Sequence, residues 1–201
     1  MKTFKIHLIR HGITDANLEG RYIGCRTDLP LNPEGVKELK ALKDTGEYPM
    51  VGALYTSPML RARQSAAILF PGFEAKPVEE FTEYDFGEFE GKTAGELELD
   101  ENYAKWTSGK IDAPPSGEKS SDFVKRLALG LNGVVLDMMQ NDIGESAVIM
   151  HGGAIMMLLA ACAVPRKRSV EWTSDPGRGY SILVTPSLYH SSGIVEVYDY
   201  L

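Results

Sequence analysis

Two short segments of the chain combine a histidine with glycine, and they contain Arg10, His11 and Gly12 in one case and His151 and Gly152 in the other. A neutral imidazole carries a lone pair and can act as a nucleophile. A guanidinium presents a planar set of donors that fits phosphoryl oxygens. Because glycine has no Cβ, a ligand can approach its backbone closely. These residue types predict an anion site suited to phosphoryl chemistry.

A second arginine adds to this prediction. Arg61 follows an apolar segment at residues 51–56 and lies where the next predicted helix begins. The N-terminus of a helix favours anions, so Arg61 would reinforce the same kind of site. The alternative for Arg61 is a solvated surface position, which is what we expect for Arg63 and Arg126.

Alternating strand-like and helical segments must position these residues. Apolar runs predict strands at residues 4–9, 51–56, 76–81, 146–150, 180–185 and 194–198. Helical spacing and N-capping signals predict helices at residues 34–43, 59–69, about 94–106, 122–140 and 154–164. This alternation predicts an α/β fold, a three-layer α/β/α sandwich with a mostly parallel central sheet. Neither repeats nor low-complexity tracts divide the chain, so residues 1–201 are expected to form a single domain.

The sheet would bring the two histidines together. Ligands of such folds bind beyond the carboxyl ends of the strands. His11 follows the first predicted strand and His151 follows the strand at residues 146–150, so both should face one edge. Each histidine taken alone could instead be a loop residue that caps backbone groups. Two such segments, one with an arginine, favour a shared site.

Composition limits the classes of partner. The chain has 21 Lys and Arg against 28 Asp and Glu, a net charge of −7, and 43% hydrophobic residues, which is typical of a globular domain. The acidic excess argues against nucleic acid or an anionic membrane as a partner. The apolar run at residues 154–164 is shorter than the roughly 20 residues that cross a bilayer, and no export signal is recognisable, so a cytoplasmic location is expected. Cys25 and Cys162 are expected to be free thiols.

Five motifs resemble, in their order, those of the histidine phosphatase superfamily, which includes the cofactor-dependent phosphoglycerate mutases. They are LIRHGITDAN at residues 8–17, RYIG followed by DLPL within 21–31, TSPMLRA at 56–62, EYDFGEFEG at 83–91 and MHGG at 150–153. The resemblance implies a phosphoglycerate mutase-like fold with one phosphoryl pocket. It further implies that His11 is the nucleophile and that Arg10, Arg61 and His151 supply positive groups around it.

The resemblance also assigns an acid and a cradle. Glu83 matches the position of the general acid, which would later activate the water that breaks the phosphoenzyme. The substrate-binding residues would be Gly12, Thr14, Asn17, Ile23, Gly24 and Gly152. Three further carboxylates of the same loop, Asp85, Glu88 and Glu90, are expected to form a solvated acidic surface. The segment SGEK at residues 116–119 matches the family's Gly-Glu-Ser element only in part.

Two other motifs are similar to known binding sites. GEFEGKT at residues 87–93 resembles a P-loop, but three residues separate its glycines where that motif has four, and its carboxylates would repel a triphosphate. His7 and His11 have the spacing of a zinc-binding helix, but their segment is predicted to be a strand. No metal and no cofactor are therefore expected.

The length of the segment between Glu83 and His151 bears on the branch of the family. Only 67 residues, 84–150, lie between Glu83 and His151, which favours the α-ribazole phosphatase and broad-specificity phosphatase branch over the mutases. We expect a metal-independent phosphatase that acts on a small phosphorylated metabolite, with α-ribazole 5′-phosphate as a candidate substrate. The alternatives are a phosphoglycerate mutase and a catalytically degenerate member that only binds a phosphorylated ligand. The oligomeric state, monomer or homodimer, stays open.

Overall fold

The computed structural model describes residues 3–201, and a seven-stranded sheet lies at its centre. The strands are β1 (Phe4–Arg10), β2 (Ala53–Thr56), β3 (Lys76–Pro77), β4 (Glu145–Met150), β5 (Ala163–Val164), β6 (Gly179–Val184) and β7 (Val195–Tyr200). Their order across the sheet is β3-β2-β4-β1-β6-β7-β5. The pairs β3 with β2, β2 with β4, β4 with β1 and β7 with β5 are parallel, and β6 is antiparallel to both β1 and β7. The sheet is therefore mixed and mostly parallel.

Helices cover both faces of the sheet. They are α1 (Asp15–Leu18), α2 (Pro33–Asp44), α3 (Leu60–Leu69), α4 (Glu101–Thr107), α5 (Ser120–Gln140), α6 (Gly152–Cys162) and α7 (Pro186–Ser192). Within residues 3–201, no helix is both long and apolar enough to span a bilayer.

The side chains of the central strands alternate between two apolar clusters. In β1, Ile6 and Leu8 pack into the cluster that contains Leu131 of α5, whereas Ile9 packs into the cluster that contains Leu39 of α2. This period of two is what a strand with both faces buried must show. The three-layer α/β/α sandwich is therefore confirmed.

The predicted strand at residues 76–81 is wrong beyond its first two residues. Only Lys76–Pro77 pairs with β2, and Glu79–Phe81 forms a 3₁₀ turn. β3 is the edge of the sheet, and its proline has no N–H with which to continue a ladder. Phe81 is instead fully buried in the cluster that contains α5.

The predicted helix at residues 94–106 begins later. Thr93 and Glu96 do form the reciprocal hydrogen bonds of a capping box, but turns follow them through residue 99. The carboxylate of Asp100 accepts hydrogen bonds from the N–H groups of Asn102 and Tyr103, so α4 starts there. A second, charged cap farther along the chain therefore sets the start of the helix.

Candidate active site

A cavity of about 140 Å³ lies at the carboxyl ends of β1 and β4, where the two histidines were expected to meet. Eight of the predicted site residues line it: Arg10, His11, Thr14, Asn17, Ile23, Arg61, Glu83 and Gly152. The rings of His11 and His151 are 5.1 Å apart between centroids, and both side chains are buried. The structure thus brings the predicted catalytic residues together.

His11 is held in one tautomer. Its Nδ1 lies 2.6 Å from the carbonyl oxygen of Gly12. A carbonyl can only accept, so Nδ1 carries the proton and Nε2 holds the lone pair. Burial, together with the charges of Arg61 and Arg10, lowers the pKa of His11 to about 3. The imidazole is therefore neutral at ordinary pH, with a nitrogen available for attack on phosphorus.

His151 is a neutral ring, so the expectation that it supplies a positive charge is wrong. Arg61 Nε donates to its Nδ1 at 3.3 Å, and its Nε2 donates to Ser57 Oγ at 2.8 Å. Burial and the charge of Arg61 place the pKa of His151 well below its usual value. His151 therefore supports Arg61 and packs its ring against His11.

The two arginines are fixed by backbone carbonyls. Arg10 Nη1 donates to the carbonyl of Ser174 at 2.7 Å. Arg61 donates from Nη1 to Thr27 at 3.1 Å and from Nη2 to Gly24 at 3.2 Å. The Nε of Arg10 is buried and has no acceptor among residues 3–201. A buried donor without a partner is costly, and an anion in the cavity would satisfy it.

Glu83 faces these cations from an irregular segment of the chain. Its Oε1 accepts a hydrogen bond from the N–H of Tyr84 at 2.9 Å, and its Oε2 accepts one from Gly153, in the first turn of α6, at 3.1 Å. Burial raises the pKa of Glu83, and it outweighs the opposing effects of these hydrogen bonds and of the arginines. A buried carboxyl with a raised pKa is suited to proton transfer.

The predicted substrate-binding residues divide into two groups. Thr14 caps α1 and forms a capping box with Asn17, and both line the cavity together with Ile23. Gly12 and Gly24 do not line it. The N–H of Gly12 donates to Ser65 Oγ, and that of Gly24 donates to the Glu90 carboxylate. Both glycines therefore position neighbours, and their N–H groups are already occupied.

The three carboxylates of the Glu83 loop are not simply a solvated surface. Glu90 accepts from the N–H of Gly24 at 3.0 Å, and Asp85 pairs with Arg26 Nε at 2.7 Å. Glu88 accepts from Ser116 Oγ at 3.1 Å. Each carboxylate thus joins the loop to another segment.

Arg126 is not a solvated surface residue either. Its side chain is 24% exposed, and it binds backbone carbonyls next to Glu83. The spacing of residues along a helix gives no sign of this role, because the carbonyl groups that accept from Arg126 lie some forty residues away in the chain.

The cavity has an aromatic wall that the sequence reasoning missed. Tyr22 and Phe86 line it with their rings 5.1 Å apart, and Tyr22 Oη bonds Tyr103 Oη at 2.8 Å. Arg21 also lines the cavity, where its Nη1 donates to the carbonyl of Gly91 at 2.6 Å. The RYIG and DFGEFEG motifs contain the first two aromatic residues and could have pointed to them.

The histidine pair with the spacing of a zinc-binding helix lies on strand β1 and the residue that follows it, not on a helix. His7 is buried and bonds Ser181 Oγ at 2.8 Å and Glu145 Oε1 at 3.0 Å. Within the described part of the chain, no group of three or more His, Cys, Asp or Glu side chains could hold a metal ion.

The fold is a mostly parallel α/β sandwich. Its site holds a neutral, buried imidazole beside two arginines, and a carboxyl faces them. This combination defines a protein of the phosphoryl-transfer class. The sequence profile of the histidine phosphatase superfamily, branch 1, matches residues 6–182, and the chain belongs to that superfamily. This assignment confirms the predicted family and its phosphatase class.

Individual relatives agree with the assignment. The chain is 28% identical over 161 residues to the adenosylcobalamin/alpha-ribazole phosphatase of Salmonella typhimurium, which is 78% of each chain. It is 31% identical over 157 residues to the uncharacterized phosphatase PhoE of Bacillus subtilis, covering 76% of this chain and 74% of that one.

Solved structures support the fold. The alpha-ribazole phosphatase from Shigella flexneri superposes with a TM-score of 0.78 at 21% identity, covering 97% of this chain and 95% of that one. A phosphoglycerate mutase from Thermus thermophilus gives a TM-score of 0.73 at 29% identity over 98% of each chain. The phosphoglycerate mutase-like fold class is therefore confirmed.

Proposed function

We propose that this protein hydrolyses small phosphomonoesters through a phosphohistidine on His11, without a metal ion. The observation that carries the proposal is the His11 ring itself. Its Nδ1–H is fixed on the carbonyl of Gly12, so the Nε2 lone pair stays available beside the cations Arg10 and Arg61. This is the protonation state that in-line attack on phosphorus requires.

The first step forms an N–P bond and breaks the ester P–O bond. Nε2 of His11 attacks phosphorus while Arg10 and Arg61 stabilise the charge on the equatorial oxygens. The leaving oxygen takes a proton from Glu83, whose raised pKa keeps that proton available. Thr14 and Asn17 line the same cavity and would hold the phosphoryl group.

The second step releases phosphate. Glu83, now ionised, accepts a proton from a water molecule whose oxygen attacks the phosphohistidine. The N–P bond breaks, and its electron pair returns to Nε2 of His11. Each group thus ends in its starting protonation state.

A small phosphorylated metabolite is the proposed partner, and α-ribazole 5′-phosphate is the first candidate substrate. A relative at 28% identity is named for that activity. The aromatic wall of Tyr22 and Phe86 beside the phosphoryl site fits a leaving group that carries a ring.

A hydrolysis screen over phosphorylated metabolites tests the proposal. It includes α-ribazole 5′-phosphate and 3-phosphoglycerate, is run with and without EDTA, and is followed by alkaline quenching to trap the phosphoenzyme. We expect turnover that EDTA leaves unchanged and an acid-labile phosphoryl group on His11. Activity that requires a divalent ion, or a stable phosphoserine, would overturn the proposal.

The mutase is the second candidate, because a solved relative at 29% identity is named phosphoglycerate mutase. Transfer of the phosphoryl group between positions of phosphoglycerate, faster than release of phosphate, would favour it. Binding of these compounds without turnover would instead favour a degenerate binding protein.

A further inference from the structure

The segment that carries Glu83 has no regular secondary structure of its own. It lies between the 3₁₀ turns Glu79–Phe81 and Gly87–Phe89. Carbonyl groups in such a segment need donors from elsewhere in the chain. Those of Glu80, Thr82 and Glu83 receive hydrogen bonds from the same side chain, which belongs to α5.

That side chain is Arg126, and all of its donors are used. Nη1 donates to the carbonyls of Glu80 at 2.7 Å and Thr82 at 2.6 Å, and Nη2 donates to that of Glu83 at 3.0 Å. Nε and Nη2 also donate to the two carboxylate oxygens of Glu118, at 2.7 and 2.9 Å. A guanidinium has five N–H groups, so these bonds satisfy it completely.

Glu118 is itself tied to the same segment. Its N–H donates to the carbonyl of Asp85 at 3.0 Å, and its carbonyl accepts from Tyr84 Oη at 2.5 Å. The Phe123 ring lies 4.6 Å from the Arg126 guanidinium. The bidentate carboxylate offsets the positive charge beside it. The cations that lower the pKa of Glu83 are Arg61 and Arg10, so Arg126 acts on the acid through geometry.

We propose that Arg126, paired with Glu118, is a positioning residue that holds the Glu83 carboxyl in place for proton transfer to the leaving oxygen. The inference rests on the proposed function, in which Glu83 is the general acid. Displacement of a catalytic group by about 1 Å can reduce the rate about 10²-fold. A lysine offers a point charge in place of the planar fork and cannot reach the same three carbonyls.

The test compares leaving groups in the Arg126→Lys and Arg126→Met variants. An alkyl phosphate needs the proton in the transition state, whereas p-nitrophenyl phosphate has a leaving group that is stable as an anion. Because Glu83 also serves as the base of the second step, which is common to both substrates, the first step is followed as phosphoenzyme formation in single turnovers. We expect that step to slow about 10²-fold for the alkyl phosphate and to change only about threefold for p-nitrophenyl phosphate, with the affinity for both substrates nearly constant. The Glu118→Gln variant should show the same pattern more weakly.

Arg178→Lys is the matched control. Arg178 is also partly exposed and also donates to a carboxylate, that of Glu47 at 2.8 Å, but it makes no contact with the acid segment. We expect this variant to keep the ratio of the two rates found in the unmodified protein. The double variant Arg126→Lys with Glu118→Gln should lose little more than Arg126→Lys alone, because the two residues act as a unit.

The outcomes separate this inference from the proposed function. Equal slowing of both substrates by Arg126→Lys, while Glu83→Gln slows the alkyl phosphate selectively, would overturn the positioning role and leave the acid assignment standing. If Glu83→Gln shows no selectivity, the acid assignment fails and the positioning role fails with it. Thermal unfolding checks that each variant is folded. If Arg126→Met does not fold, the test relies on Arg126→Lys, which keeps the charge and the aliphatic part of the side chain.

Discussion

The two sides of the cavity are built in different ways. The nucleophile side comprises Arg10, His11, Arg61 and His151. Its two histidines follow directly on the buried central strands β1 and β4. Its two arginines lie at the end of β1 and in the first turn of α3. The acid side, around Glu83, lies on irregular chain that is held by side chains from α5 and from the loop before it.

This difference has a structural consequence. Parallel strands and the helices that follow them bring the nucleophile side together through backbone hydrogen bonds that depend little on side-chain identity. The acid side has no such ladder, so its geometry depends on individual contacts. Gly87, for example, has φ +54°, and a Cβ there would lie 2.1 Å from the carbonyl oxygen of Pro115. The effects of substitutions on the two sides should therefore depend differently on the leaving group of the substrate.

The largest expected effect is on the nucleophile side. His11→Ala removes the attacking nitrogen, so turnover should fall by more than about 10⁴-fold and the trapped phosphoryl label should disappear. His151→Ala should weaken both without moving the label, since His151 only supports Arg61. Rapid-quench labelling checks this, and a phosphoryl group on His151 would reverse the two roles.

The next effect tests the acid side directly. Glu83→Gln should slow phosphoenzyme formation from an alkyl phosphate by about 10² to 10⁴-fold and from p-nitrophenyl phosphate far less, whereas hydrolysis of the phosphoenzyme should slow equally for both. The alkaline limb of the pH–rate profile should also vanish, because the raised pKa of Glu83 keeps its proton until the pH passes that value. Equal losses for the two substrates in phosphoenzyme formation, in a folded variant, would remove Glu83 as the acid of the first step.

The stability of the Glu83→Gln variant distinguishes a catalytic role of Glu83 from a purely structural one. A raised carboxyl pKa stabilises the folded state at low pH, and this contribution is lost as the pH rises through the folded-state value. At pH 7 burial of this carboxyl is therefore a cost to the folded state, and an uncharged amide avoids it. We expect Glu83→Gln to be at least as stable as the unmodified protein in denaturant unfolding at pH 7, whereas a purely structural role for Glu83 predicts a loss.

Two adjacent glycines allow a matched comparison of the two sides. A Cβ on Gly153 would lie 2.9 Å from a Glu83 carboxylate oxygen, and a Cβ on Gly152 would lie 3.2 Å from Arg10 Nε. Gly153→Ala should slow the alkyl phosphate selectively, by up to about 10²-fold, whereas Gly152→Ala should slow both substrates alike. Rates of phosphoenzyme formation from the two substrates check this, and the same pattern in both variants would remove the distinction between the sides.

The smallest expected effect concerns acid stability on the nucleophile side. The pKa of His11 is lowered to about 3, so unfolding takes up a proton below about pH 6.5 and stability falls as the pH drops towards 3. His11→Gln has no such proton to bind. Between pH 7 and pH 5 the free energy of unfolding of the unmodified protein should fall by about 2 kcal/mol more than that of the His11→Gln variant. Parallel pH dependences in denaturant titrations would contradict the neutral, buried imidazole.

The sequence by itself determined the nucleophile side. Apolar runs predict β1 and β4, and parallel strands end at a common edge, so His11 and His151 were expected to meet. The N-capping signal for the helix predicted at residues 34–43 is Asn32 followed by Pro33, and Asn32 Oδ1 does accept a hydrogen bond from the N–H of Gly35. Thr185 and Pro186 have the same pattern at the start of α7, a helix that the apolar runs did not predict.

Only the tertiary structure decided the acid side and the protonation of the site. Glu83 was placed by family resemblance, but its support by Arg126, whose acceptors lie about 43 to 46 residues away along the chain, has no local pattern. The same holds for the His151 ring, because its neutral state depends on burial and on Arg61, ninety residues away. Local spacing specifies backbone hydrogen bonds, whereas pKa values and irregular segments depend on which distant groups pack around them.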